Sequence, residues 1–222
     1  MAVLQLREPG VGAPLGHHAA DSIRDAILQG SLRPGERLVE SAIAAQLNLS
    51  RGPVRDGLRQ LAAEGLVVIV PRRGTFVSQL SGVDIQEIST LRAAIEGLAA
   101  RLLAEMRDGE AVRQLEALLD EMAKAGDADP VRFAALDLKF HETLVRASGH
   151  RRLYQSWANL RTQIWMFIRE TRLGNLGSAE STREFHEAIV QAIGAGDVYE
   201  AERVTRYHVE SSGARLRDFL AR

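Results

Sequence analysis

Cysteine is absent from the 222 residues of this chain, which excludes disulfides and thiolate metal sites and fits a reducing compartment. Lysine is nearly absent too: Lys124 and Lys139 stand alone, and arginine supplies the rest of the positive charge. Long apolar runs are missing. Stretches such as Leu66–Val70 fall far short of the roughly 20 residues a membrane-spanning helix needs. The opening residues MAVLQLREPG have neither a basic start nor a sustained apolar segment, so no signal peptide is read there and a cytoplasmic protein without membrane contact is expected. There is no internal repeat and no low-complexity tract.

A surplus of charge is also missing. The formal net charge is −1, with 26% charged and 45% hydrophobic residues, the make-up of an ordinary globular protein of one or two domains. The balance is uneven along the chain. Residues 1–78 hold nine arginines against seven acidic residues, and residues 79–222 hold nineteen basic against twenty-two acidic ones. A locally basic N-terminal part permits nucleic-acid binding without demanding it.

What is present is a sharp change of periodicity. Residues 1–16, with Pro9, Gly10, Gly12, Pro14 and Gly16, read as a flexible arm. A helix is predicted over about His17–Gln29, with Ala20, Ile23, Ala26 and Ile27 as its apolar stripe. A Pro34-Gly35 turn follows, then a short helix over Ser41–Leu47 and an Asn48-Leu49 turn. The next helix runs from Ser50, read as its N-cap, through Val54, Leu58 and Leu61 to Glu64, and Gly65 stops it. Leu66–Val70, a Pro71-Arg72-Arg73-Gly74 turn and Thr75–Val77 form a hairpin. Three helices followed by a hairpin is the winged helix-turn-helix order, here over residues 17–78. Residues 79–83 read as a linker. Beyond it, residues 84–222 contain helices only: Asp84–Arg107, Glu110–Ala125, Pro130–Ser148, Arg151–Thr171, Ser178–Ala195 and Val198–Ala221. Their apolar stripes fit an antiparallel bundle. The fold class is therefore mainly α: an N-terminal winged helix-turn-helix and a C-terminal all-α antiparallel helical bundle.

The helix from Ser50 presents Arg51, Arg55 and Arg59 at successive four-residue steps. The second helix of such a motif enters the major groove, and an arginine fork can donate two hydrogen bonds to guanine. Ser50 and the free N–H groups of the first turn suit a phosphate. Arg72 and Arg73, with Gly74, sit at the wing tip within reach of the DNA backbone or minor groove. Three arginines on an exposed face are also compatible with mere solvation, and a winged helix can contact protein instead.

The segments Leu32-Arg33-Pro34-Gly35-Glu36-Arg37-Leu38, Leu49-Ser50-Arg51-Gly52-Pro53-Val54-Arg55-Asp56-Gly57-Leu58-Arg59-Gln60-Leu61, Glu64–Val67 and Pro71–Val77 resemble the GntR-type winged helix, in its FadR-like branch. The resemblance implies a DNA-binding transcription regulator, a repressor by default, with Arg33, Ser50, Arg51, Gly52, Arg55, Arg59, Arg72, Arg73 and Gly74 at the duplex. It also implies a homodimer on a palindromic operator. The family usually has Thr, Glu and Ala where Gly52, Asp56 and Gly57 stand. Two glycines should loosen the recognition helix, by up to about 1 kcal/mol each relative to Ala.

In the C-terminal part, Asp137 and His141 are four residues apart and share a helix face with Phe133, Phe140 and Leu144. His186 and His208 lie beside apolar stripes on two further helices. Each could be a hydrogen-bonded core residue, or three imidazoles and a carboxylate could converge on a divalent transition metal with open coordination positions. The stretches Asp137–Leu144, Glu184–Ile189, Gly196-Asp197 with Ala201, and His208 resemble the FCD effector domain. That resemblance implies that Asp137, His141, His186 and His208 hold zinc, nickel or a similar ion, that a small carboxylate effector completes the shell, and that Arg92 faces it. Arg92 could equally form a surface ion pair with Glu96. A metal-free site for an acyl-CoA-like effector, a metal-dependent hydrolase and an effector-independent structural DNA binder are the alternatives.

Overall fold

The computed structural model describes residues 14–221. Its backbone contacts divide the chain into two compact units, residues 1–79 and 80–222.

The first unit holds α1 (Leu15–Leu28), β1 (Arg37–Leu38), α2 (Glu40–Gln46), α3 (Arg51–Ala63), β2 (Val67–Val70) and β3 (Gly74–Val77). Of the expected arm, residues 1–13 lie outside the described residues. Leu15 and Gly16 are helical, a correction to that boundary. The cause is local: Pro14 takes the N-cap position, and its carbonyl accepts from the N–H groups of His17 and His18. The three apolar helix faces close around Ala20, Ile23, Val54, Leu58 and Leu61, all buried. Asn48, at φ 49°, makes the turn between α2 and α3, a left-handed position that asparagine tolerates. The hairpin register pairs Val67 with Val77 and Val70 with Gly74. β1 pairs antiparallel with β3 at Arg37–Phe76 and Leu38–Thr75, giving a three-stranded sheet of order β1-β3-β2. The sequence reading missed β1, because a two-residue strand exists only through its partner.

The second unit contains, among the described residues, α4 (Gly82–Met106), α5 (Gly109–Ala125), α6 (Pro130–Ala147), α7 (Arg151–Leu173), α8 (Ala179–Ala195) and α9 (Val198–Leu220). The predicted linker shrinks because α4 starts at Gly82. A capping box sets that start: Ser81 Oγ accepts from the Asp84 N–H and the Asp84 side chain accepts from the Ser81 N–H. Helix α4 packs most extensively against α9. Phe133, Phe140, Trp157, Phe167, Leu115 and Leu216 fill the core.

The two unusual glycines of α3 have opposite roles. A Cβ on Gly57 would lie 2.8 Å from the backbone N of Ala20 and 2.9 Å from the carbonyl O of Gly16. Gly57 is thus where α1 and α3 cross in contact, and it tightens the unit instead of loosening the helix. A Cβ on Gly52 would meet nothing within 4 Å. Gly57→Ala should therefore destabilise the protein by about 1–3 kcal/mol through overpacking, despite alanine's better helix propensity. Gly52→Ala should stabilise it by up to about 1 kcal/mol. Urea denaturation of both variants checks the opposite signs.

Candidate metal centre and nucleic-acid interface

Helix α3 carries its arginines outward: Arg51, Arg55 and Arg59 are exposed while Val54, Gly57, Leu58 and Leu61 are buried. Their freedom differs. Arg55 makes a forked pair with Glu40 at the start of α2, with Nε at 3.3 Å and Nη2 at 3.0 Å. Arg59 lies 3.5 Å from Asp56 one turn before it. Arg51 has no ion pair among the described residues and stands in the first turn of the helix. Ser50 holds the N-cap position but its side chain makes no capping bond, so its hydroxyl is available to another acceptor or donor. Gly52 is exposed beside it.

At the wing, Arg72 sits at φ 63° and Gly74 at φ 116°. Both Arg72 and Arg73 are exposed. A Cβ on Gly74 would stand 3.2 Å from Nε of Arg37. Arg37, which sequence reasoning passed over as a contact residue, thus lies against the wing tip. The signal for it is the β1–β3 pairing, which spacing along the chain does not reveal. Arg33 is exposed in the turn before β1, and its N–H donates to Glu36 at 2.9 Å.

In the second unit the four donors expected from the sequence do converge. Asp137 and His141 come from one face of α6, His186 from α8 and His208 from α9. All four are buried, with one ligand atom from each lying within 4.8 Å of the others. Nε2 of His141 and Nε2 of His186 lie 3.2 and 3.1 Å from Oδ1 of Asp137 and 3.3 Å from each other. His208 stacks on His141 with ring centroids 5.4 Å apart.

A fifth residue orders the cluster. Glu96 of α4 is wholly buried. Its Oε2 is 2.8 Å from Nδ1 of His141. Its Oε1 accepts from Arg92 Nε at 3.0 Å and from Trp157 Nε1 at 2.7 Å. With Nδ1 of His141 engaged by Glu96, Nε2 is the nitrogen turned into the cluster, as in the carboxylate–histidine pairs that orient metal ligands. The Arg92–Glu96 pair exists, but the surface location considered for it is corrected. Arg92 is 2% exposed, because this stretch of α4 buries Ala93, Ile95, Ala99 and Ala100 around it.

The electrostatics match a cation site. Burial opposes ionisation of Glu96, yet Arg92 and His141 outweigh it and hold the carboxyl well below its ordinary range. Burial likewise opposes the Asp137 charge, but hydrogen bonds to His141 and His186 hold that carboxyl well below its ordinary range. Burial pulls His141 down, but Glu96 more than compensates and the net direction is up. Burial pushes His186 down and His208 far down, which favours in each the neutral imidazole that a metal ligand needs. Arg92 balances Glu96, and the buried Asp137 carboxylate still demands positive charge. A proton on His141 or a divalent cation can meet that demand. Buried Nδ1 of His208 has no hydrogen-bond partner among the described residues. The donor set of three imidazoles and one carboxylate therefore fits a divalent transition metal.

Beside the cluster lies a small cavity that opens partly to solvent. Arg92, Asp137, His141 and His208 line it, together with Arg172, Arg215 and the hydroxyls of Thr171, Thr182 and Ser212. The last five residues were not found from sequence. Their convergence depends on how the segment between α7 and α8 folds over the end of α9. Arg161 and Trp165 of α7 are not in the wall; Arg161 pairs with Glu142 at 3.1 Å.

With this geometry in hand, comparison with known proteins gives a consistent result. Residues 15–77 match the profile of the bacterial regulatory proteins of the gntR family, and residues 87–211 match the FCD domain. The chain is 36% identical to a Paenarthrobacter nicotinovorans protein named "Probable D-xylose utilization operon transcriptional repressor", over 86% of this chain and 85% of that one. It is 32% identical to the gluconate operon transcriptional repressor of Bacillus subtilis (strain 168), over 83% of this chain and 78% of that one. A protein from Rhodococcus sp. RHA1, solved as a GntR transcriptional regulator, superposes with a TM-score of 0.74 at 25% identity, covering 90% of this chain and 96% of that one. No helix among the described residues is long and apolar enough to cross a membrane.

Glu96→Gln should strand the Arg92 guanidinium without a counter-charge and destabilise the protein by about 3–5 kcal/mol. Adding Arg92→Met should recover most of that loss. A double-mutant cycle in urea checks the coupling, and additive effects would contradict it.

Proposed function

Because the chain belongs to the gntR family of bacterial regulatory proteins and carries its FCD domain, we propose that this transcription regulator is a repressor whose operator affinity is set by a small carboxylate metabolite bound at or beside a divalent metal. The observation that carries this reading is the set of four buried donors on three helices, Asp137, His141, His186 and His208, opening on a cavity with arginine in its wall. The repressor names of two relatives, tied to D-xylose utilisation and gluconate operons, support the sense of control, and the gluconate name of the second fits a hydroxylated carboxylate as effector.

Asp137, His141, His186 and His208 would hold the ion. When bound, it supplies a charged anchor that orients an oxygen ligand. The protein's own groups do the rest. Glu96 keeps Nε2 of His141 aimed at the centre. The hydroxyls of Thr171, Thr182 and Ser212 offer hydrogen bonds to a polar effector. For the effector to release DNA it must bind one arrangement of the regulator better than another, since equal affinity shifts nothing.

On the DNA side, Arg51 and the wing arginines Arg72 and Arg73 are the exposed donors to the duplex. Arg33, Arg37, Ser50, Gly52, Arg59 and Gly74 lie around them, and Arg55 joins once its fork leaves Glu40. Two such winged helices on a palindrome require a homodimer. Leu91 and Leu98, large exposed apolar residues seven apart on α4, give a self-association face some support.

Two outcomes are expected. Protein prepared without chelator should contain about one divalent ion per chain, and chelation should lower its melting temperature. Saturation at a hundred times Kd corresponds to about 2.7 kcal/mol of stabilisation. Asp137→Ala and His186→Ala should abolish both the ion and the chelator response; a metal-free, chelator-insensitive wild type would remove the metal site. Arg51→Ala should weaken binding to a duplex selected by the wild type from a random pool by about 1–3 kcal/mol at fixed salt. An unchanged gel shift would sink the assignment of α3 as the reading helix.

A further inference from the structure

The cavity wall is not electrically balanced. Three arginines line it: Arg92, Arg172 and Arg215. Arg92 is cancelled by Glu96 at 3.0 Å. Arg172 is cancelled by Asp127 at 2.6 Å, and its other Nη donates to the carbonyl of Gly177 at 2.8 Å. Arg215 has no carboxylate among the described residues. Its Nε donates to the carbonyl of Leu176 at 3.1 Å, which fixes the root of the guanidinium and leaves its two Nη groups without a protein acceptor among the described residues. The side chain is exposed at the rim of the cavity, so its free donors can be reached from solvent.

The position of Arg215 gives this surplus a direction. His208, Ser212 and Arg215 fall at steps of four and three on α9, so they share one face, and all three line the cavity. Seven residues of helix separate the metal-ligand end from the arginine end by about 10 Å along the axis. Thr171, Thr182 and Ser212 place hydroxyls in the same wall. Resting on the metal reading above, the charges at the two ends can be compared. A divalent ion with Asp137 leaves one positive charge at the cluster, and Arg215 leaves a second at the far end of the wall.

We infer that the effector is a short dianion: one anionic group sits at the Asp137/His141/His186/His208 centre, and a second is received by the fork of Arg215. Guanidinium recognises carboxylate and phosphate alike through two parallel hydrogen bonds, so the second group is a carboxylate or a phosphate. A monoanion of the same skeleton leaves the Arg215 fork without a counter-charge, and binds more weakly. Arg215 is a specificity-determining residue outside the metal ligands.

The test is titration calorimetry on the metal-loaded full chain with two matched pairs: malate against lactate, and 3-phosphoglycerate against glycerate. The ligand with two anionic groups in at least one pair is expected to bind ten-fold or more tighter than its partner with one. Preference for malate alone assigns a carboxylate to the second position, and preference for 3-phosphoglycerate alone assigns a phosphate. In Arg215→Gln the preference should fall below three-fold, while lactate affinity and metal content stay at the wild-type level. Arg215→Lys, which keeps the charge, should retain an intermediate preference. Equal affinities within both pairs for the wild type, or a preference that survives Arg215→Gln, would overturn the inference. If lactate and glycerate bind in a chelator-sensitive way but the dianions gain nothing, the dianion inference alone fails. If none of the four binds to the loaded protein, the metal-effector reading fails with it.

Discussion

The C-terminal unit depends on one buried carboxylate. Glu96 has no exposed surface; it accepts from the Arg92 guanidinium and the Trp157 indole, and it lies 2.8 Å from Nδ1 of His141. An isolated charge in such a place would cost many kcal/mol. It persists because every contact is a donor, and because each donor comes from a different helix: α4 itself, α7 and α6. The network therefore does two jobs. It fixes how three helices meet, and it sets which nitrogen of His141 faces Asp137 and His186. Packing and chemistry cannot be separated here. A hydrophobic replacement of similar volume could hold the helices as firmly, but it would not orient an imidazole.

The N-terminal unit rests on a different constraint, the close approach of α1 and α3. Backbone meets backbone at Gly16, Ala20 and Gly57, so the angle of α3 on α1 is set by contact with no side chain to adjust it. The helix that carries Arg51 is thereby placed on a rigid base. This bears on recognition, because a bidentate arginine contact tolerates little misplacement. The glycine that weakens the helix as an isolated segment strengthens its seating in the fold. The one that merely costs propensity, Gly52, stands in the first turn where nothing packs on it.

Most of the architecture is legible in the sequence because it is written in local periodicity. The helix stripes, the change to a β-branched run after Gly65 and the Arg-Arg-Gly wing tip all fall where the structure has them. Asp137 and His141 are legible as a pair because four residues make one helical turn. The features that escape are those that depend on a second element. Strand β1 needs β3. The burial of Arg92 and Glu96 is hidden because an i, i+4 ion pair looks the same on a surface as in a core. The tether of Arg55 to Glu40 spans fifteen residues, and the cavity role of Arg215 requires the segment after α7 to fold back over α9. Helical spacing alone leaves each of His186 and His208 as an ordinary core histidine; the family resemblance, not the pattern, joins them to Asp137.

Both units carry the same lesson about charge. Formal net charge of −1 says nothing about partners here, since it averages arginines that are already satisfied with arginines that are not. Arg24 is bound to Glu64, Arg55 to Glu40, Arg92 to Glu96 and Arg172 to Asp127. Subtracting such pairs leaves Arg51 on α3 and Arg215 in the cavity wall among the cations without an acidic partner in the described structure. An arginine that folding leaves unbalanced costs little when fully hydrated, as Arg51 is at the head of an exposed helix, and it then attracts phosphate at long range. Arg215 is exposed as well, but its Nε is held on the Leu176 carbonyl, so an arriving anion meets a fork that is already anchored. A search for function in an arginine-rich chain therefore starts from the cations that the protein's own carboxylates do not reach.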